Sequence, residues 1–119
     1  MKVLNYRDVD ADREIPGVAL RTVIGPQDAP RFSMRVFEVE PGASTPWHSH
    51  WWEHEVFILA GRGKVRSNEG ETDLQPGDVV YVGGEEQHSF SNAAEEPLRF
   101  ICCIPHVQEP ASDPPPRQG

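Results

Sequence analysis

Cysteine is scarce in this 119-residue chain: the only two, Cys102 and Cys103, lie side by side in an apolar run. Successive side chains on a strand point to opposite faces, so a bridge between these neighbours would be strained. That excludes a disulfide scaffold and favours reduced thiols. Positive charge is sparse too. Lys and Arg total 11 against 19 Asp and Glu, a formal net charge of −8, and the basic residues form no block. Nucleic-acid binding draws on clustered positive charge, so no phosphate-backbone partner is expected. No apolar run approaches the ~20 residues that span a bilayer. The opening MKVLNYRDVDADRE also lacks the apolar segment of a secretory signal. The expectation is a cytoplasmic protein that engages neither nucleic acid nor membrane. Helical periodicity and internal repeats are missing as well, and the length allows about one domain with a modest core.

What is present is a succession of short runs rich in Val, Ile, Phe and Tyr, broken by Gly, Pro or Asn. That is the pattern of an all-β domain. GVALRTVIG (17–25), FSMRVFEVEPG (32–42), EVFILAG (55–61) and GKVRSN (63–68) read as strands. So do TDL after a tight turn at NEGE (68–71), VVYVG (79–83), HSFSN (88–92) and LRFICCIP (98–105). QPGD (75–78) carries Pro and Gly at the central positions of a type II turn. Strands this short bury their apolar faces by closing into a sandwich or small barrel. The barrel domain is expected over residues 1–107. QEPASDPPPRQG (108–119), nearly devoid of apolar residues and with three consecutive prolines, is expected to be a flexible tail.

TPWHSHWWEHEVFILAG (45–61) holds three of the five histidines and all three tryptophans. On one continuous strand His48, His50, Trp52 and His54 share a face, while Glu53 and Glu55 point the other way. Imidazole ligates Mn, Fe, Co, Ni, Cu and Zn, so this face is a candidate metal site. The alternative is an exposed histidine-rich stretch beside an aromatic patch. His88 and Phe90 share a face of HSFSN, and barrel closure can carry His88 to the other three. Alternation also puts Leu98, Phe100, Cys102 and Ile104 on one face of the last strand. Trp52, Phe90, Phe100 and Cys102 are therefore candidate pocket-lining residues. Simple core packing is the alternative for Trp52 and Cys102. Glu53 and Glu55 read as solvated outer-face groups, or as carboxylates that orient a ligating histidine. Trp47 and Trp51, of opposite parity to the ligand face, are candidates to cover a subunit interface. Tyr81 reads as core and His106 as exposed.

These stretches resemble the two motifs of the cupin family. Gly42, ASTPW, His48-Ser49-His50, then Glu55 and Gly61 follow the order of the first motif. GDVVYVGGEEQHSFSN, from Gly77 to Asn92, follows the second, with His88 and Asn92 in place. Two departures stand out. Gly83-Gly84-Glu85 replaces a usual Pro-x-Gly, and His54 stands where many cupins have a glutamate ligand. HSHWWEHEVF is similar to small single-domain manganese cupins with four histidine ligands. The resemblance implies a single-domain cupin β-barrel of jelly-roll type (a double-stranded β-helix). It also implies a homodimer, and a divalent ion held by His48, His50, His54 and His88. Mn(II) or Fe(II) comes first, with Cu(II), Co(II), Ni(II) or Zn(II) also compatible.

Four neutral imidazoles would leave such an ion its full positive charge, and six-coordination would leave two positions for substrate or dioxygen. From this an oxidoreductase of dioxygenase type is expected, cleaving a C–C or C=C bond of a small organic substrate. The alternatives are a redox-neutral metal-dependent lyase, isomerase or decarboxylase, and a small-molecule-binding module without turnover. No inward carboxylate stands out as a general base.

Overall fold

The computed structural model describes residues 1–106, so the tail expected at 108–119 lies outside the described residues. A short 3-10 helix (Tyr6–Asp8), with Asn5 capping the Arg7 N–H, precedes eight strands. These are β1 (Val18–Ile24), β2 (Phe32–Val39), β3 (His54–Ala60), β4 (Gly63–Ser67), β5 (Gly70–Leu74), β6 (Val79–Val82), β7 (Ser89–Ser91) and β8 (Leu98–Pro105). Each overlaps a stretch read as a strand in the sequence, although β5 begins at Gly70, inside the stretch read as the NEGE turn. They form two antiparallel sheets, ordered β1-β2-β8-β3-β6 and β5-β4-β7.

Period-two alternation decides what each strand buries. Along β8, Leu98, Phe100, Cys102 and Ile104 are buried and their neighbours half-buried. Along β3, His54, Val56 and Ile58 are buried, while Glu55, Phe57 and Leu59 are exposed. Phe100 joins the sheets: its ring stacks on Phe37 at 4.9 Å and on Phe90 of β7 at 4.6 Å between centroids. Burying a phenylalanine side chain contributes roughly 1.5–3 kcal/mol, and this one is 1% exposed. Asn92, also buried, donates from Nδ2 to the carbonyls of Val39 (2.8 Å) and Glu96 (2.7 Å) and accepts from the Ala94 N–H. It ties the exit of β7 to β2 and to the approach to β8.

The type II turn at 75–78 forms as expected. Gly77 takes φ +93°, and the Asp78 N–H donates to the Gln75 carbonyl at 3.1 Å. Gly61, at φ +81°, is needed for closeness as well, because a Cβ there would collide with the Pro97 carbonyl.

Two expectations are corrected. Tyr81 is exposed rather than core, since Val80 and Val82 occupy the inner face of β6; its hydroxyl donates to Glu53 Oε2 at 2.7 Å. His106 is half-buried rather than exposed, its ring held between Ser33 Oγ (3.2 Å) and the Ala29 carbonyl. Among the described residues, no helix is long and apolar enough to cross a membrane.

Candidate metal centre

Only one of the four histidines sits on a regular strand. β3 begins at His54, so no continuous strand runs through residues 48–54 as the parity reading supposed. His54 turns inward because β3 alternates, with Val82 of β6 opposite it. His48 and His88 are paired through an isolated bridge: the His48 N–H donates to the His88 carbonyl at 3.2 Å, and the His88 N–H returns to the His48 carbonyl at 2.9 Å. The His50 carbonyl accepts from the Glu85 N–H at 2.5 Å. The departure in the second motif falls at this contact. Glu85 adopts φ +65°, and a Cβ on Gly84 would stand 2.7 Å from the Trp51 carbonyl oxygen. Glycine at 84 lets the two histidine-bearing loops approach.

The rings converge. Centroids of His48 lie 4.4 Å from His50 and 4.7 Å from His88, and those of His54 lie 4.8 Å from His88 and 5.2 Å from His50. The tightest group is His48, His50 and His88, which offer one nitrogen each within 4.8 Å of one another. Two bonds of about 2.1 Å span at most ~4.2 Å, so sharing one ion requires the rings to close slightly. The His54 ring lies beside this group, 4.8 Å from His88, but its nitrogen is not one of the three.

Burial is the main force on their protonation. It lowers His48 from the usual 6.5 to about 4 and His54 to about 2, helped by the nearby charges of His88 and Arg35. Burial also lowers His88, against the opposing pull of the Glu86 carbonyl. The imidazoles are therefore neutral at pH 7, the form that binds metals. His88 Nδ1 lies 2.9 Å from that carbonyl. A carbonyl only accepts, so Nδ1 carries the proton and the lone pair is left on Nε2. His48 Nδ1 and His54 Nδ1 are buried with no hydrogen-bond partner. Such atoms are costly to desolvate, and a cluster of neutral nitrogen bases fits a divalent cation.

A small cavity of about 20 Å³ opens at the cluster, lined by His48, His54 and His88. Phe90, Phe100 and Cys102 line it as expected. Trp52 does not. It is buried behind His50, stacked ring to ring at 4.2 Å and 3°, and so braces that histidine instead of walling the pocket. Glu53 and Glu55 are exposed, Glu53 engaged with Tyr81. The group seen to orient a histidine is a main-chain carbonyl, that of Glu86. Trp47 and Trp51 are 37% and 46% exposed, and the Arg66 guanidinium lies over the Trp47 ring at 4.4 Å. Arg35, Phe37, Thr45 and Ile15 complete the lining and were missed in the sequence. Arg35 had a legible signal, a cation on the apolar face of a strand.

The Cupin domain family model matches residues 35–104. The solved polyketide cyclase RemF from Streptomyces resistomycificus superposes with a TM-score of 0.83 at 31% identity, covering 98% of this chain and 84% of that one. Over 68 residues the chain is 32% identical to an oxalate-binding protein of Thermotoga maritima, covering 56% of each. It is 38% identical to (R)-mandelonitrile lyase of Granulicella tundricola over 50 residues, 41% of this chain and 38% of that one. The chain spans about half the length, 53% and 56%, of the first two curated relatives it matches.

Proposed function

This chain belongs to the cupin family, and from that premise we propose a divalent-metal-dependent enzyme that makes or breaks bonds beside a carbonyl, without net oxidation, in a small oxygen-rich molecule. The observation that carries this reading is the convergence of four imidazole rings, three of which, His48, His54 and His88, line one cavity and are kept neutral by burial. His48, His50 and His88 hold the ion in this reading, and His54 completes the set. Mn(II) or Fe(II) is the leading occupant, although nitrogen ligands accept the other first-row ions too. When bound, the ion supplies Lewis acidity, drawing electron density from a carbonyl oxygen and acidifying the adjacent C–H.

The chain's own groups do the rest. Phe37, Phe90 and Phe100 form a stacked apolar wall that keeps bulk water out. Trp52 and the Glu86 carbonyl fix the orientation of His50 and His88. Burial raises the Cys102 thiol, so it stays protonated and is a poor base at neutral pH. No Asp or Glu is among the buried residues described. A substrate acidic enough to arrive already ionised suits an interior without a carboxylate base among the described residues.

The redox-neutral reading draws support from the relatives named by activity, a cyclase and a lyase. Oxidative cleavage, expected from the open positions of a six-coordinate centre, has no such support. The test is anaerobic incubation of metal-counted protein with a panel of 1,3-diketones, hydroxy-ketones and cyanohydrins. Turnover without oxygen is the expected result. Turnover only in air would restore the dioxygenase reading, and tight binding without turnover would favour a binding module.

A further inference from the structure

β2 carries a cation into the barrel. Arg35 shares the inward face of Ser33, Phe37 and Val39, is 9% exposed, and lines the cavity together with His48, His54 and His88. Strand register sets it opposite Cys102, whose Sγ accepts from its Nη2 at 3.4 Å. The guanidinium carbon lies 5.1 Å from the centroid of the Phe37 ring. Neither contact satisfies the group. A guanidinium has five N–H donors, a thiol is a weak acceptor, and Arg35 Nε is buried with no hydrogen-bond partner.

Nor is the charge balanced. The salt bridges among the described residues join Lys2 to Asp28, Arg21 and Arg99 to Glu38, and Lys64 to Asp73. None includes Arg35, and no buried carboxylate is available to it. A desolvated cation without a counter-charge is strongly unfavourable. On the metal reading, on which this step rests, a divalent ion on neutral imidazoles adds to the imbalance. What the interior lacks is an anion with acceptor oxygens.

We infer that Arg35 is the anion-binding residue of this site, and that the substrate is a small organic anion presenting a planar pair of oxygens, a carboxylate or an ionised 1,3-dicarbonyl. Cys102 engages Nη2 through a weak acceptor and Phe37 supports the guanidinium, while Nε has no hydrogen-bond partner, so the group retains donor capacity for an anion. Ile15 and His48 are the half-buried members of the lining and mark the side open to solvent. A volume of about 20 Å³ is room for about one water-sized group, so the bulk of any ligand stays outside.

The experiment titrates zinc-loaded, full-length protein with acetate and with its uncharged counterpart acetamide. Acetate is expected to bind more tightly than acetamide, and R35M to weaken acetate roughly tenfold or more, the scale of a lost charge-assisted pair. Acetamide affinity and zinc content should stay near their original values. R35K, which keeps the charge but not the planar fork, should fall between. Without acetate, R35M should melt no lower than the parent protein, because a desolvated charge has been replaced by an apolar side chain. Unchanged acetate affinity in R35M, with or without a lower melting temperature, would overturn the inference. So would equal losses for acetate and acetamide. Failure of the metal reading shows separately, as absence of zinc in elemental analysis. The acetate-dependent rise in melting temperature is then measured on metal-free protein, and its persistence in R35M would sink the anion site.

Discussion

The cavity has two unlike walls. One is built of His48, His54 and His88, with His50 beside His48, mostly from loops around β3 and β7, and burial keeps its three lining imidazoles neutral. The other is the inner face of β2 and β8, where Arg35 meets Cys102 beside the stacked Phe37 and Phe100, and it carries an unbalanced positive charge. The first wall has the chemistry to hold an ion. The second has the chemistry to choose what approaches it. The protein's exterior carries an excess of carboxylates, yet this interior has none among the described residues.

The contrast breaks most severely if the rigid wall collapses. Phe100→Ala removes the ring that joins Phe37 to Phe90, and should cost about 3–5 kcal/mol in urea unfolding, the usual range for a buried phenylalanine. A loss under 1 kcal/mol would mean the stacked core is not what holds the second wall. Next in size is the ligand test. His54→Ala should weaken metal binding about 100-fold, measured by calorimetry and elemental analysis, while Glu55→Ala leaves it within about twofold. The opposite result would hand the fourth position to Glu55 and contradict the outward orientation of that side chain.

Acid should act on the histidine wall. Folding lowers the pKa of His48 to about 4 and of His54 to about 2, below the usual 6.5. As pH falls, the unfolded chain takes up protons first. The stabilisation is therefore complete above about pH 6.5 and is lost progressively on descending towards 4 and below. Urea midpoints of metal-free protein at pH 7, 6 and 5 should fall in that order, and flat midpoints would mean the rings are not desolvated. The smallest effect is expected outside the cavity. Tyr81→Phe removes the exposed hydrogen bond to Glu53 and should change stability by no more than about 0.5 kcal/mol, with metal content unaffected. A large change there would show that the outer face of β3 and β6 is coupled to the centre.

The legibility of the two walls differs for a physical reason. Strand alternation and turn chemistry are local, so all eight strands, the QPGD turn and the inward aim of His54, Phe100 and Cys102 could be read from short stretches. Motif spacing singled out His48, His50 and His88, although the parity argument for the first two rested on a strand that does not form. Their convergence comes instead from a backbone bridge between residues 48 and 88 and from the His50–Glu85 contact. Arg35 was legible as an inward position of β2 but not as a site residue, because its meaning depends on Cys102, far along the chain.

By itself, then, the sequence determined the all-β class and the strand order along the chain, since both follow from residue type and short-range spacing; the candidate ligand set was what the resemblance of its two motifs to cupins implied. Tertiary structure alone decided which histidines stand close enough to share an ion. It also set Trp52 behind His50, gave the orienting role to the Glu86 carbonyl instead of Glu53 or Glu55, and placed an uncompensated guanidinium opposite a thiol. Those outcomes depend on register and loop closure between distant segments, and local pattern carries no information about either.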